Sequence, residues 1–188
     1  MYFEDEAGFT RRPPRGRTWG QRGITPVVTV SGRRLGRVPV AGLIATRPGF
    51  RTWLCHRLHT HPAGKGTRRS MGERDFIALI DGTNQLLKAS IVMVWDRLNT
   101  HVSHKMRQLV AEREWLTVFL LPVYSPDLNP VDWVWAHVKR SLSNLAVVGF
   151  ERLEALVRNR LKLLQYRPDT LDGFIAGTCL PLDQPMSP

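Results

Sequence analysis

The sequence has little that would suit an oxidising compartment or a membrane. Only two of its 188 residues are cysteines, Cys55 and Cys179, and they lack any Cys-x-x-Cys spacing, so neither a disulfide framework nor a zinc motif is indicated. No apolar run approaches the length that spans a bilayer. The first six residues are acidic where a signal peptide would be basic. We therefore expect a cytoplasmic protein with no membrane partner.

Acidic residues are scarce relative to basic ones. The chain has 27 Lys and Arg against 16 Asp and Glu, a formal net charge of +11, which favours a polyanionic partner. Several basic residues lie in Gly-rich and Pro-rich segments, which are typical of exposed loops. The alternative interpretation is a solvated basic surface without a ligand. We predict DNA phosphate contacts for two clusters, Arg11, Arg12, Arg15 and Arg17, and Lys65, Arg68 and Arg69.

Hydrophobic patterning predicts an α/β fold with a mixed central sheet flanked by helices. The 43% hydrophobic content is ordinary for a globular chain of this length. We expect residues 1–166 to form the domain and residues 167–188 to form a C-terminal extension that is partly mobile. The last expected helix carries Leu153, Leu156, Val157, Leu161 and Leu164 on one face. The expected strands are Tyr2 to Asp5, Thr25 to Ser31, Arg37 to Ala45, Thr52 to Leu58, Ile91 to Trp95 and Leu116 to Leu121, with a helix near 72–87 between the fourth and fifth.

Asp96 is a site candidate because of its place at the end of a strand. The run Ile91 to Trp95 is apolar without alternation, as in a strand that is buried on both faces. Ligand sites in open α/β sheets lie beyond the carboxyl ends of such strands, where a charged group is seldom found unless it is paired or binds a metal. In the loop that follows, Ser103 is predicted to cap the next helix.

Asp132 is a second candidate, in the first turn of a predicted helix. Asn129 is a favourable N-cap and Pro130 suits the first helical position, so the helix should begin at Pro130. A buried stripe along Val131, Val134 and Val138 leaves Asp132 on another edge. Taken alone, Asp132 is more simply interpreted as an acid that complements the helix dipole. The presence of Asp96 at the end of another strand shifts the interpretation of Asp132 toward a second site residue.

These segments resemble a known family. Val94 to His101 and the run Leu121-Pro-Val-Tyr-Ser-Pro-Asp-Leu-Asn-Pro-Val-Asp132 resemble the catalytic domain of bacterial insertion-sequence transposases related to the mariner elements. Tyr2 to Phe9 is similar to the family's first strand. The resemblance implies a ribonuclease H-like fold with three catalytic acids, Asp5, Asp96 and Asp132. Strand alternation agrees, since Phe3, Asp5 and Ala7 share one face while Glu4 and Glu6 point to the other.

The resemblance also implies cofactors and partners. The three carboxylates would bind two Mg²⁺ or Mn²⁺ ions for DNA strand cleavage and strand transfer. Double-stranded DNA, both element ends and target, is the implied partner, with self-association on it, and a bacterial nucleoid location follows. His101 is a possible phosphate or water contact, Asn129 would hold the loop that aims Asp132, and Lys139 would contact phosphate. Three nearby anions should also destabilise the metal-free protein.

Two alternatives remain open from the sequence alone. The chain begins four residues before Asp5, so we expect the family's helix-turn-helix region to be a separate DNA-binding half. The protein would then be either an active catalytic half or a catalytically silent DNA-binding or assembly remnant whose first strand is too short to hold Asp5. A ribonuclease H-like nuclease unconnected with transposition is less favoured. In this setting one of Glu4 or Glu6 is expected to face solvent without a role.

Overall fold

The sheet of this protein has five strands and is covered by helices on both faces. A computed structural model describes residues 1–12, 14–27, 29, 37–59, 70–145 and 149–180. Its strands are β1 (Tyr2–Phe9), β2 (Val38–Ala45), β3 (Trp53–Leu58), β4 (Ile91–Trp95) and β5 (Leu116–Leu120). Its helices are α1 (Glu73–Leu87), α2 (His104–Ala111), α3 (Pro130–Ser141), α4 (Phe150–Gln165) and α5 (Pro168–Gly177), with a single 3-10 turn at Pro126–Leu128.

The strand order is β3-β2-β1-β4-β5. The first three strands are antiparallel, and β1 pairs with β2 along its whole length, from Tyr2 opposite Ala45 to Phe9 opposite Val38. The next two strands run parallel to β1. The central strand is β1, and helices contact both of its faces. The carboxyl end of β4 lies beside the middle of β1. The predicted mixed sheet is confirmed.

Two hydrophobic clusters hold the layers together, one on each face of the sheet. On one face, Phe3, Ala7 and Phe9 of β1 pack against apolar residues of α3, α4 and α5. On the other face, Tyr2 packs with β4 and with residues of α1 and α2 such as Phe76 and Met106. Alternate residues of β1 therefore enter different cores, which places Asp5 on the α3 side and Glu4 on the α1 side.

Most predicted elements agree with the structure within a residue or two. Helix α3 begins at Pro130, and the Asn129 side chain accepts a hydrogen bond from Val131 N at 3.1 Å, as predicted. Ser103 caps α2 through Met106 N. The strand predicted at 25–31 lies partly outside the described residues; within that range, residues 25–27 and 29 are described and are not in a strand.

The C-terminal region contains a helix that sequence analysis did not predict. Helix α5 buries Leu171 completely and belongs to the same core as α3 and α4. The division of the chain at residue 166 stays a prediction, and the tail predicted at 181–188 lies outside the described residues. Within the described part, none of the helices is both long and apolar enough to cross a bilayer.

Candidate active site

The structure brings the three predicted carboxylates to one open pocket. Asp5 comes from the middle of β1, Asp96 follows β4, and Asp132 lies in the first turn of α3. All three line a pocket of about 500 Å³, whose outer wall is the loop from Leu121 to Asn129. The site thus lies at the carboxyl end of β4, where open α/β sheets hold ligands.

Asp5 is the most deeply buried of the three. Its Oδ2 accepts a hydrogen bond of 2.9 Å from the indole Nε1 of Trp135 on α3. Gly42, opposite Asp5 in β2, lets the indole pass, since a Cβ there would lie 2.6 Å from the ring. Burial and the negative charge of Asp132 raise the pKa of Asp5 to about 8. The role of Trp135 as a partner could not be predicted from the sequence, because Trp135 directly follows Val134 on the apolar face of α3, which indicates only packing.

Asp132 faces Asp5 across the start of α3. The two carboxyl groups are close enough to share a hydrogen bond, while burial raises the pKa of Asp132 and the charge of Lys139 lowers it. Asn129 fixes this turn to the sheet. Its Nδ2 donates to the Glu4 carbonyl at 2.9 Å while its Oδ1 caps the helix. Asn129 therefore links the first turn of α3, which carries Asp132, to β1.

Asp96 differs from the other two because its charge is compensated. Its Oδ1 accepts two hydrogen bonds, one of 2.9 Å from Leu98 N and one of 2.8 Å from Nδ1 of His101. The bond from His101 lowers the pKa of Asp96, which outweighs the effect of burial. Its side chain is 47% exposed. The repulsion that sequence analysis assigned to three acids is thus concentrated at Asp5 and Asp132.

The structure corrects the predicted place of His101 and decides the position of Glu4. His101 is not placed to contact water or phosphate, because its side chain is 0% exposed, lies behind Asp96 and does not line the pocket. Of Glu4 and Glu6, one of which was expected to face solvent, Glu4 is fully buried, with Nε2 of His101 3.0 Å from its Oε2. Burial disfavours charge on the His101 ring, but the Glu4 charge and the Asp96 hydrogen bond raise its pKa to about 10. Sequence analysis missed this pair because alternation alone does not show that both faces of β1 are covered.

The donor set fits a hard divalent cation, although no finished metal site is present. Among the described residues, no group of three or more His, Cys, Asp or Glu side chains is gathered closely enough to hold an ion. Carboxylate oxygens are the ligands that Mg²⁺ and Mn²⁺ prefer. Burial, together with the negative charge of Asp132 beside Asp5, raises the pKa values of Asp5 and Asp132 and so disfavours their charged forms. A bound cation would favour those charged forms.

Part of the predicted basic surface lies next to this site. Arg11, Arg12 and Lys139 line a second pocket, of about 250 Å³, at the end of β1. Arg15 and Arg17 are exposed on the segment that follows. Asn144, which follows α3, holds that segment in place. Its side chain accepts a hydrogen bond of 3.0 Å from Gly16 N–H and donates one of 2.7 Å to the Gly16 carbonyl. Lys65, Arg68 and Arg69 lie outside the described residues.

The class of protein follows from comparison with known sequences. Residues 1–154 match the family described as DDE superfamily endonuclease, and the chain belongs to that family. A search of curated proteins returned no match. The three acids named in the sequence resemblance therefore lie in a chain of the expected family.

Solved structures show the fold. The mariner Mos1 paired-end complex with Mg matches with a TM-score of 0.60 and 15% identity over 94% of this chain and 55% of that chain. The Mos1 paired-end complex with the left transposon end matches with a TM-score of 0.59 and 14% identity over 94% of this chain and 55% of that chain. The catalytic domain of Mos1 mariner transposase matches with a TM-score of 0.51 and 13% identity over 94% of this chain and 81% of that chain. The fold is the ribonuclease H-like fold of that domain, as predicted. This chain spans about half the length of the longer Mos1 chains.

Proposed function

We propose that this protein is the catalytic domain of a DNA transposase that cuts and joins DNA strands with divalent metal ions. The observation that carries the proposal is the convergence of Asp5, Asp96 and Asp132 on one open pocket in a chain of the DDE superfamily endonuclease family. These carboxylates come from three elements that are far apart in sequence. Such an arrangement has no evident structural need, since it places repelling acids together.

Each carboxylate has a distinct part in this proposal. Two Mg²⁺ or Mn²⁺ ions would lower the pKa of the attacking water or 3′-hydroxyl and stabilise the leaving oxygen. Asp5 and Asp96 offer ligands from the two neighbouring strands, and Asp132 offers a third from α3. Trp135 holds Asp5 through its N–H, and Asn129 holds the turn that carries Asp132. The exposed loop from Pro122 to Tyr124 leaves the pocket open to a substrate as large as DNA.

The partner we propose is double-stranded DNA at element ends and target. Arg11, Arg12 and Lys139 line one pocket at the end of β1, and the charge of Lys139 acts on Asp132. These cations would bind phosphates without reading sequence. Recognition of element ends would then come from a DNA-binding half, encoded separately or in another part of the protein. Self-association on DNA and a place in the bacterial nucleoid belong to the same proposal. The similar Mos1 structures, which are paired-end and strand-transfer complexes, give it support.

The test is cleavage of plasmid or element-end DNA with Mn²⁺, with the DNA-binding half supplied. Asp5→Ala, Asp96→Ala and Asp132→Ala should each abolish cutting while leaving DNA affinity within a fewfold of wild type. The reason is that the acids hold the metal while the cations hold the DNA. Asp127→Ala is the matched control, because Asp127 is an exposed acid in the 3-10 turn just before the helix that carries Asp132, and it should keep cutting.

Two outcomes would contradict the proposal. Retained cutting in Asp132→Ala would return that residue to the role of a helix-dipole acid. Wild-type protein that binds DNA but never cuts under any metal would favour the silent remnant. The eight residues of β1 include Asp5 and pair with β2 along their full length, which supports the active catalytic half over the remnant.

A further inference from the structure

A buried charged pair lies directly behind the candidate site. Glu4 and the side chain of His101 are both 0% exposed, and Nε2 of His101 is 3.0 Å from Oε2 of Glu4. This contact is not aligned as a hydrogen bond, and both Glu4 carboxylate oxygens lack hydrogen-bond partners within the described structure. Removing a carboxylate from water is strongly unfavourable when its oxygens are incompletely paired. Two well-packed apolar residues in place of the pair are often as stable or more stable, so the pair calls for an explanation beyond packing.

The His101 ring connects this buried acid to Asp96. Its other nitrogen, Nδ1, lies 2.8 Å from Oδ1 of Asp96. The N–H of Leu98 donates to the same oxygen at 2.9 Å. Both described hydrogen bonds thus fall on Oδ1, which leaves Oδ2 as the oxygen able to bind a cation. The two donors also restrict rotation of the carboxylate.

Aromatic contacts hold the ring itself in place. The imidazole stacks on Trp95 with ring centroids 4.6 Å apart and an interplanar angle of 9°. The ring of Phe76 from α1 meets its edge at 4.7 Å and 81°. Trp95 directly precedes Asp96, so the ring that orients the carboxylate is packed against the strand that carries it. The groups that face the ring are therefore two carboxylates at its nitrogens and two aromatic rings at its face and edge.

We propose that Glu4 and His101 form a positioning pair that fixes Asp96 with one carboxylate oxygen turned toward the metal. This inference rests on the proposed function, since it assumes that Asp96 binds the cation. The role is positioning and not catalysis, because neither side chain lines the pocket. Partners of this kind orient metal-binding side chains, and their loss typically weakens metal binding by about 10-fold to 100-fold.

A matched set of substitutions at His101 tests the proposal by Mn²⁺ titration calorimetry on the intact protein. Counted in bonds from Cβ, the amide nitrogen of Asn matches Nδ1 and that of Gln matches Nε2. His101→Asn therefore keeps a donor toward Asp96 but loses the contact with Glu4, and its Mn²⁺ affinity should fall by less than about 10-fold. His101→Gln loses that donor, and its affinity should fall about 10-fold to 100-fold. His101→Phe keeps an aromatic ring stacked on Trp95, so no cavity replaces the imidazole, but it has no donor toward Asp96. Its Mn²⁺ affinity should fall by the same amount.

Glu4 is tested through its own pair of variants. Glu4→Gln can donate to Nε2 of a neutral ring whose Nδ1 still donates to Asp96, so Mn²⁺ affinity should be nearly unchanged. Glu4→Met removes one partner of the buried pair, so the melting temperature should fall, and Mn²⁺ affinity should also fall about 10-fold. A merely structural role would change melting and leave the affinity unchanged. Unchanged Mn²⁺ affinity in Glu4→Met would remove Glu4 from the pair and overturn the proposal.

Two controls separate this proposal from the one on which it rests. His104→Asn changes a histidine exposed at the start of α2 and should leave Mn²⁺ binding unchanged. Asp96→Asn should remove most Mn²⁺ binding. If wild-type protein binds no Mn²⁺, or if Asp96→Asn binds it as well as wild type, both proposals fail. If binding depends on Asp96 but His101→Gln and His101→Phe bind normally, only the positioning pair fails.

Discussion

Trp135 has two functions in this fold, packing and orientation of Asp5. Its ring lies in the core formed by α3 and β1, and its N–H donates to Oδ2 of Asp5 at 2.9 Å. The absence of a side chain at Gly42 gives the ring its path, because a Cβ would approach it to 2.6 Å. The indole could not be replaced by another large apolar group without loss of the donor.

We predict that Trp135→Phe separates these two functions. Loss of the hydrogen bond and of ring volume should reduce the free energy of unfolding by about 1–3 kcal/mol, measured by urea titration. Freed from its donor, Asp5 should bind Mn²⁺ more weakly by roughly 10-fold. Trp133→Phe is the control, since Trp133 is 43% exposed and on another face of α3. Equal Mn²⁺ affinity in Trp135→Phe and wild type would show that the indole only packs.

His56 gives a pH dependence that is independent of the candidate site. Burial and the nearby Arg158 charge lower the pKa of His56 to about 4, from an ordinary value of 6.5. Between these values the unfolded chain binds more protons, so the stability linked to His56 is fully present above pH 6.5 and is lost as pH falls toward 4. His56→Gln should therefore reduce the loss of unfolding free energy between pH 7 and pH 4.5. A loss as steep as in wild type would exclude His56 as a source of acid sensitivity.

At the scale of single residues, strand ends and caps could be predicted, but contacts across layers could not. Asp96 follows an apolar strand and Asp132 follows an Asn-Pro helix start, and both signals are local in sequence. By contrast, Glu4 meets His101 only because β1 is the central strand with helices on both faces. Local alternation gave Glu4 its correct face but left open which of Glu4 and Glu6 was buried.

Helix α3 is attached to the sheet through its first turn. Asn129 is buried and uses both ends of its amide, since Oδ1 caps the helix and Nδ2 reaches the Glu4 carbonyl. Asp132 lies three residues later, so the cap also sets its distance from β1. The helix start therefore links the position of one candidate ligand to the strand that carries another.

Asn129→Ala should lower the free energy of unfolding by about 2–3 kcal/mol, measured by urea titration. The cap accounts for about 1 kcal/mol, and the carbonyl left without its donor accounts for the remainder. Asn129→Ser retains a capping oxygen but is too short to bond to Glu4, so its loss should be intermediate. Equal losses in the two variants would mean that the bond to the Glu4 carbonyl contributes nothing.

At the scale of elements, strong periodic patterns predicted α1, α3 and α4, while α5 was missed. Pro168 starts α5, but Leu171 is its only fully buried residue, which is too weak an apolar stripe to recognise. Its place in the core comes from packing against α3 and α4. The strand predicted at 25–31 is likewise not found at its described residues, 25–27 and 29, because an apolar run forms a strand only where a sheet edge is available.

For the molecule as a whole, positive and negative charge are separated around one region. The three acids line the pocket beside the end of β4, and Arg11, Arg12 and Lys139 lie together at the end of β1. The chain as a whole carries a net charge of +11. A DNA duplex bound by the cations would have its backbone next to the acids, which only metal ions would make favourable.

This charge distribution predicts how DNA binding depends on salt. Affinity for duplex DNA should fall steeply between low and physiological salt, with little sequence preference, because each neutralised phosphate releases counterions. Arg11→Ala with Arg12→Ala should reduce the slope of log affinity against log salt by about 2, at roughly 0.9 for each phosphate that is no longer neutralised. Fluorescence anisotropy with labelled duplexes measures both quantities.

The matched control removes the same charge from the opposite end of the sheet. Arg47 and Arg51 lie in the turn beside the start of β1, where they contact the rings of Phe50 and Trp53. Arg47→Ala with Arg51→Ala lowers the net charge equally, so a slope that depended on net charge alone would change equally in both double variants. We expect the slope to change only in the Arg11 and Arg12 variant. Equal slopes in the two variants would contradict DNA binding at Arg11 and Arg12.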